Sequence, residues 1–315
     1  MPTDVLVLNQ GVHGLPPQDY AAAIEARLPD ATVTFAPTTD AAVDALGEAT
    51  VLTGTAPPAA LFDHDHALAL FACLYAGTDH LDRDRLAAEG VAVTSASGVH
   101  GPNVAEHAIG ALLMLVREHH EGLRRARRQE WRSYLPDELY GLTVGVVGLG
   151  DIGTAVAERL QPFGVDLVGV RHSPEKGGPV DEVVGYDAVG SVVPRLDALV
   201  LCCPLTDQTR GLVDADVLGA LPPTAILVNV ARGPVVDTDA LVTALQRNDV
   251  GGAALDVTDP EPLPEDHPLW TFENCLVTPH NAGGTPKYYE RRADILAENV
   301  ERLEAGTDEF RNQVA

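Results

Sequence analysis

Three short segments in the second half of this 315-residue chain each place one chemically useful side chain just past an apolar run. Val228-Asn-Val-Ala-Arg-Gly-Pro-Val-Val-Asp237 carries Arg232. Leu255-Asp-Val-Thr-Asp-Pro-Glu-Pro-Leu-Pro264 carries Glu261 in a proline-clamped loop, and Thr278-Pro-His-Asn-Ala-Gly-Gly284 carries His280. A guanidinium offers a planar fork that matches a carboxylate. A histidine can deliver a proton to a carbonyl oxygen, and a carboxylate beside it stabilises the imidazolium and orients the ring. An arginine, a carboxylate and a histidine at one edge are the set needed to reduce a 2-oxo acid. If all three segments follow strand carboxyl ends, they lie on the edge where open parallel sheets bind their ligands.

A fourth segment supplies the reductant's seat. Gly148-Leu-Gly150-Asp-Ile-Gly153 follows the apolar run Val144–Val147 and opens the helical stretch Thr154–Leu160. In that context Gly148 permits the tight turn and Gly150 lets the backbone approach a pyrophosphate. Gly153 allows close helix–strand packing, and the helix N-terminus offers N–H groups to the phosphates. Cofactor choice turns on the end of the next strand, where a carboxylate would hold a ribose 2′-hydroxyl. Arg171 stands there instead, followed by His172 and Ser173. A guanidinium fork and a hydroxyl suit a 2′-phosphate, so the expectation is NADP(H) ahead of NAD(H).

These residues need rigid elements behind them. Strand-like runs cover Asp4–Asn9, Ala31–Ala36, Val51–Gly54, Leu70–Ala76 and Val91–Ser95 in the first hundred residues. From Thr143 they resume at Thr143–Gly148, Asp166–Arg171, Ala198–Cys203, Ala225–Val230, Gly252–Val257 and Leu276–Thr278. Helical periodicity over Pro17–Leu28 and Thr39–Leu46, and between most of the later strands, predicts βαβ crossovers and parallel sheets. One long helix is expected from Asn103 to about Trp131, ending in Arg124, Arg125, Arg127, Arg128 and Arg132, which complement its dipole. A last amphipathic helix is expected from Pro286 to about Leu303. The predicted fold is α/β: two doubly wound parallel-sheet domains, Rossmann and flavodoxin-like, with a cleft between them. A dinucleotide-binding domain would span 102–285, and a substrate domain 1–101 with 286–315.

Composition narrows the partners. There are 21 basic residues against 46 acidic, a formal net charge of −25. That field repels phosphate backbones and anionic bilayers, so neither nucleic acid nor membrane is an expected partner. The longest apolar run, Ala108–Val116, is about half of what a membrane span needs. Met1-Pro-Thr-Asp shows no signal-peptide pattern. Cys73, Cys202, Cys203 and Cys275 sit in apolar segments without metal or redox spacing, as reduced thiols of a cytoplasmic protein do. No metal site is expected: HExxH is absent, and Asp63-His64-Asp65-His66 reads as an exposed acidic turn. Lys176 and Lys287 are the only lysines. Carboxylate excess with so little lysine points to a halophilic, salt-adapted surface.

Taken together the segments resemble the D-2-hydroxyacid dehydrogenase family over the whole chain. Cys203-Pro-Leu-Thr-Asp-Gln-Thr209 stands in family order between the glycine loop and the Arg232 segment. Ala76-Gly77-Thr78-Asp79-His80-Leu81-Asp82 and Asn103-Val-Ala-Glu106 match the amino-terminal signatures. The resemblance implies a catalytic triad of Arg232, Glu261 and His280, with Asp256 hydrogen-bonded to the nicotinamide carboxamide. It implies a cofactor cleft lined by Gly148, Gly150, Asp151, Ile152, Gly153, Cys203, Pro204, Thr209, Val104, Val230 and Ala231. The amides of Ala76 and Gly77 would hold the substrate carboxylate with Arg232, and Tyr75 and Trp270 would shape the pocket. Tyr75, where many members have a small residue, and Asn281, where an aliphatic residue is common, depart from the pattern.

The implied activity is hydride transfer between NADP(H) and a small or medium aliphatic 2-oxo acid, by a homodimer formed through the cofactor domain. Domain closure over the substrate is implied as well. Glyoxylate or hydroxypyruvate is the alternative substrate. A dinucleotide-sensing, corepressor-like binding protein is the alternative class, and turnover of a simple 2-oxo acid separates the two.

Overall fold

The computed structural model describes residues 3–307 and 309–314. The chain divides into two compact units: residues up to Val99 with those from Gly284 on, and His100–Gly283. The first unit holds a five-stranded parallel sheet of β1 (Asp4–Leu8), β2 (Thr32–Ala36), β3 (Val51–Gly54), β4 (Leu70–Cys73) and β5 (Ala92–Thr94), in the order β2-β1-β3-β4-β5. Adjacent strand residues point to opposite faces, and both faces are covered. Val5 and Val7 pack with Tyr20 and Ile24 of α1 (Pro17–Glu25) and with Leu296 and Val300 of the chain's last helix. Leu6 and Leu8 pack on the other side with Leu46 beside α2 (Thr39–Ala45) and Leu86 of α3 (Arg83–Ala88).

The second unit opens with α4 (Gly101–Val116) and α5 (His119–Arg127), then alternates. Its strands are β6 (Thr143–Val147), β7 (Asp166–Val170), β8 (Glu182–Val184), β9 (Ala198–Leu201), β10 (Ile226–Asn229), β11 (Gly252–Leu255) and β12 (Cys275–Val277). Its later helices are α6 (Asp151–Leu160), α7 (Val189–Val192), α8 (Ala215–Ala220) and α9 (Thr238–Arg247). All seven strands are parallel, in the order β12-β11-β10-β9-β6-β7-β8. The order reverses between β6 and β9, the switch point at which doubly wound sheets open a crevice. Ala198 and Val200 face the α4–α6 layer, while Leu199 and Leu201 face α7, α8 and α9. The chain then returns to the first unit as α10 (Tyr288–Glu304).

Two expectations need correction. The helix expected from Asn103 to Trp131 is broken: Arg117 ends α4, and Glu118 sits in the left-handed region at φ 49° before α5 begins. The apolar stripe of α4 stops at Val116, and the Val116 carbonyl accepts from the Asp137 amide. No residue of α5 is buried, so nothing there pulls the chain onward along the same axis. The arginines of α5 serve local contacts. Arg125 and Arg124 hold the Glu121 carboxyl below its usual range, and Arg125 lies 5.0 Å over the Tyr134 ring. The second correction is β8, an unpredicted edge strand whose two valines are too few to show a period. Most predicted strands also end one to three residues early, where the chain leaves the sheet for the loop that follows.

Candidate active site

The three segments follow neighbouring strands: Arg232 comes after β10, Glu261 after β11 and His280 after β12. Parallel pairing puts all three on the carboxyl edge of one sheet. The Arg232 turn is shaped by Asn229, a buried polar residue at the end of an apolar strand. Its side chain accepts from the Ala231 amide at 3.0 Å and donates to the Arg232 carbonyl at 3.1 Å. Arg232 is exposed, and one Nη donates back to the Ala231 carbonyl at 2.6 Å. A Cβ on Gly233 would stand 1.9 Å from the Thr258 carbonyl oxygen, so only glycine lets this turn press against the loop that leads to Glu261.

Across that edge His280 Nδ1 lies 2.6 Å from Glu261 Oε1. A carboxylate accepts only, so Nδ1 carries its hydrogen towards Glu261 and Nε2 is left for a reacting partner. His280 holds a left-handed φ of 51°, unusual for a residue with a Cβ. Asp256 explains how. Its backbone carbonyl accepts from the His280 amide at 2.8 Å, Oδ1 from the Asn281 amide at 2.9 Å and Oδ2 from the Ala282 amide at 2.9 Å. Oδ1 also accepts from the Thr278 hydroxyl at 2.6 Å, and His107 Nε2 lies 3.2 Å from that hydroxyl. Asp256 therefore grips three consecutive amides of the histidine loop. Asn229, Thr278, Gly233 and His107 were not singled out as functional residues. The only sequence signal for the first two is a polar residue at the end of an apolar run.

The glycine loop has the cradle that a dinucleotide requires. Gly148 has φ 90°, and a Cβ on it would meet the Cys203 Cα at 2.6 Å. A Cβ on Gly153 would fall 1.8 Å from the Gly148 carbonyl oxygen, whereas none on Gly150 would touch anything within 4 Å. The turn is closed where it packs and open where a phosphate would approach, at the start of the ten-residue α6. Asp151 and Ile152 form its first turn. Val104, Val230, Ala231 and Cys203 are buried, and burial pushes the Cys203 thiol up to about 11.

Thr209 is also buried, and its hydroxyl is taken up within its own loop, donating to the Pro204 carbonyl at 2.6 Å. Arg171 is half-buried past β7, with one Nη on the Gly177 carbonyl at 2.6 Å. His172 is exposed with Nδ1 2.8 Å from Gln208 Oε1, and Ser173 is half-buried. Trp270, 51% exposed, donates Nε1–H to the Pro264 carbonyl at 2.8 Å. In the first unit, Tyr75, Ala76 and Gly77 are exposed just past β4, with Tyr75 edge-on to the His80 ring.

A family model described as "D-isomer specific 2-hydroxyacid dehydrogenase, NAD binding domain" matches residues 109–282. The chain belongs to that family. This 2-hydroxyacid dehydrogenase is 37% identical to a glyoxylate reductase of Thermofilum pendens, over 71% of its own length and 68% of that protein's. Among solved structures it resembles a D-isomer specific 2-hydroxyacid dehydrogenase of Xanthobacter autotrophicus Py2 in complex with NADPH and MES. The TM-score is 0.77 and the identity 32%, covering 100% of this chain and 98% of that one. It also resembles an NADPH-dependent glyoxylate/hydroxypyruvate reductase of Sinorhizobium meliloti, at TM-score 0.69 and 31% identity, covering 100% and 97%. The dehydrogenase is an oxidoreductase with NAD(P) as its cofactor class. Among its described residues no helix is long and apolar enough to cross a membrane.

Proposed function

We propose that this dehydrogenase works mainly as an NADP(H)-preferring 2-oxo acid reductase, carried by the 2.6 Å contact between His280 Nδ1 and Glu261 Oε1 at the sheet edge that also bears Arg232. When bound, the dinucleotide supplies the hydride. His280 Nε2 donates its proton to the carbonyl oxygen, leaving a neutral ring whose Nδ1–H stays on Glu261. Arg232 binds the substrate carboxylate and adds positive potential beside the carbonyl oxygen. The amides of Ala76 and Gly77 take the same carboxylate, and Tyr75 and Trp270 shape the pocket. Asp256 holds the histidine loop, and an Oδ2 lone pair remains for the carboxamide.

The glycine loop and the first turn of α6 hold the pyrophosphate, and Arg171 with Ser173 and His172 holds the 2′-phosphate. Support for NADP(H) comes from the absence of a carboxylate at Arg171 and from the NADPH-bound relative. None of the pocket residues offers a charged clamp for a second carboxylate, which favours small or medium aliphatic side chains. Glyoxylate or hydroxypyruvate is the second reading, favoured by the relatives' names.

Cytoplasmic residence and a homodimer through the cofactor unit belong to the same proposal. Leu123, Trp131, Leu135 and Tyr140 are all exposed in that unit, with Trp131 at 105% and Leu135 at 94%, as residues covered by a second copy would be. Halophily is proposed from the acid surplus. Among the described residues only Asp256 is a buried carboxylate, so the charge lies on the surface.

The test is oxidation of NADPH, with NADH in parallel, across a panel of 2-oxo acids in multimolar KCl, for wild type and His280→Ala. Turnover that falls about 10²- to 10⁴-fold in the variant is expected. Near-normal kcat in His280→Ala would end the assignment, and tight NADPH binding without turnover would favour a sensor.

A further inference from the structure

The first unit buries a charge that none of its described residues neutralises. Arg292 of α10 is 0% exposed and is its largest fully buried side chain. Nε donates to the Cys73 carbonyl at 3.1 Å, while both Nη atoms are buried with no hydrogen-bond partner among the described residues. No ion pair of the described residues includes Arg292. The ionisable groups whose charge it senses are Tyr20, Cys73 and Tyr288, and burial pushes all three up, so they stay neutral. A guanidinium does not shed its proton in a protein, so the positive charge persists. A buried cation without a counter-ion is costly, and an apolar side chain of similar volume would fill the same place without that cost.

The position of the charge gives it a use. Tyr288, one turn earlier on the same helix face, donates its hydroxyl to the Leu74 carbonyl. Arg292 and Tyr288 thus hold the carbonyls of Cys73 and Leu74, the last residue of β4 and the one after it. The next three residues are Tyr75, Ala76 and Gly77. At ~3.8 Å per residue, Ala76 is no more than about 11 Å from Cys73 along the chain.

We infer that Arg292 is a specificity-determining positioning residue for the anionic end of the substrate, its uncompensated charge lying under the loop whose amides receive the carboxylate. The inference rests on the reductase reading of Ala76 and Gly77 and deepens it. Arg292 does not touch the substrate; it selects for a carboxylate through the potential it sets at that loop. In a chain of net charge −25, a cation placed behind the loop also offsets the repulsion that an anionic substrate meets.

The test is steady-state kinetics of Arg292→Met and Arg292→Lys with the preferred 2-oxo acid, at the lowest salt that keeps the protein folded. A unit charge about 12 Å from an anion, at an effective dielectric of roughly 20 to 40, changes affinity about three- to tenfold. Arg292→Met is expected to raise the 2-oxo acid KM by that factor. Its kcat should stay within about twofold and its dinucleotide KM unchanged. The rise should shrink as KCl is added. Arg292→Lys keeps the charge and should stay within about twofold of wild type. Should the methionine variant not fold, Arg292→Gln, which retains a donor for the Cys73 carbonyl, carries the same expectation. An unchanged KM in the uncharged variant, or equal rises in the uncharged and lysine variants, overturns the inference alone. A wild type that turns over no 2-oxo acid removes the reductase reading and this inference with it.

Discussion

Replacing Asp256 by asparagine tests whether this residue chiefly holds the histidine loop. Its carboxylate accepts three hydrogen bonds, from the Thr278 hydroxyl and the Asn281 and Ala282 amides, with the side chain only 2% exposed. Asparagine keeps one accepting oxygen. Its best placement leaves that oxygen on Thr278 and Asn281 and turns the amide NH2 against the Ala282 N–H. One buried N–H then loses its partner, at about 1–3 kcal/mol, and the other two bonds weaken from charged to neutral acceptors, by roughly 0.5–1 kcal/mol each.

The total, about 3 kcal/mol, should lower the melting temperature by ~6–12 °C for a unit of this size. It should lower kcat by up to about 100-fold if the loss appears wholly as displacement of His280 from its left-handed conformation. The dinucleotide KM should rise as well, because the oxygen proposed to accept from the carboxamide becomes an NH2. Differential scanning calorimetry and NADPH-oxidation kinetics read both effects. An unchanged melting temperature, with the damage confined to the dinucleotide KM, would refute the loop-holding role and leave Asp256 as a carboxamide contact alone.

Three further outcomes are expected. Gly153→Ala places a Cβ 1.8 Å from the Gly148 carbonyl oxygen, so NADPH binding, followed by its fluorescence, should be lost, with destabilisation of about 1–3 kcal/mol or more; an alanine variant that binds normally would mean that the turn is not the cradle. Arg171→Asp removes a guanidinium and adds a carboxylate, so the ratio of kcat/KM for NADPH over NADH should fall at least about tenfold. An unchanged ratio would remove Arg171 from the 2′-phosphate site. Thermal melts in dilute buffer against multimolar KCl should show marked destabilisation at low salt, and full stability in dilute buffer would dispose of the halophilic reading.

Strands buried on both faces must be apolar throughout, which is why the central strands β1, β3, β4, β6, β9, β10 and β11 stand out as apolar runs, while the edge strand β2 shows as β-branched residues with only one end buried. The edge strand β8, half-covered and three residues long, carries no such pressure. A Cβ on Gly148 or Gly153 would collide with backbone, and one on Gly150 would stand in the open side of the turn where a phosphate approaches, so Gly148-x-Gly150-x-x-Gly153 is legible without coordinates. Arg232, Glu261 and His280, the proposed catalytic residues, are legible because each sits a few residues past an apolar run, and parallel pairing brings the ends of β10, β11 and β12 to one edge.

The tertiary structure decided the rest, because contacts between residues far apart in the chain leave no local period. The helix break at Glu118 follows from where the sheet stops offering apolar surface, not from any glycine or proline. The Asp256 grip on His280 spans 24 residues of sequence and depends on two strand ends lying side by side. Arg292 occupies a core-facing position of an amphipathic helix. By residue type it reads as one more surface cation, and only its burial beneath the end of β4 reveals a charge with no counter-ion among the described residues.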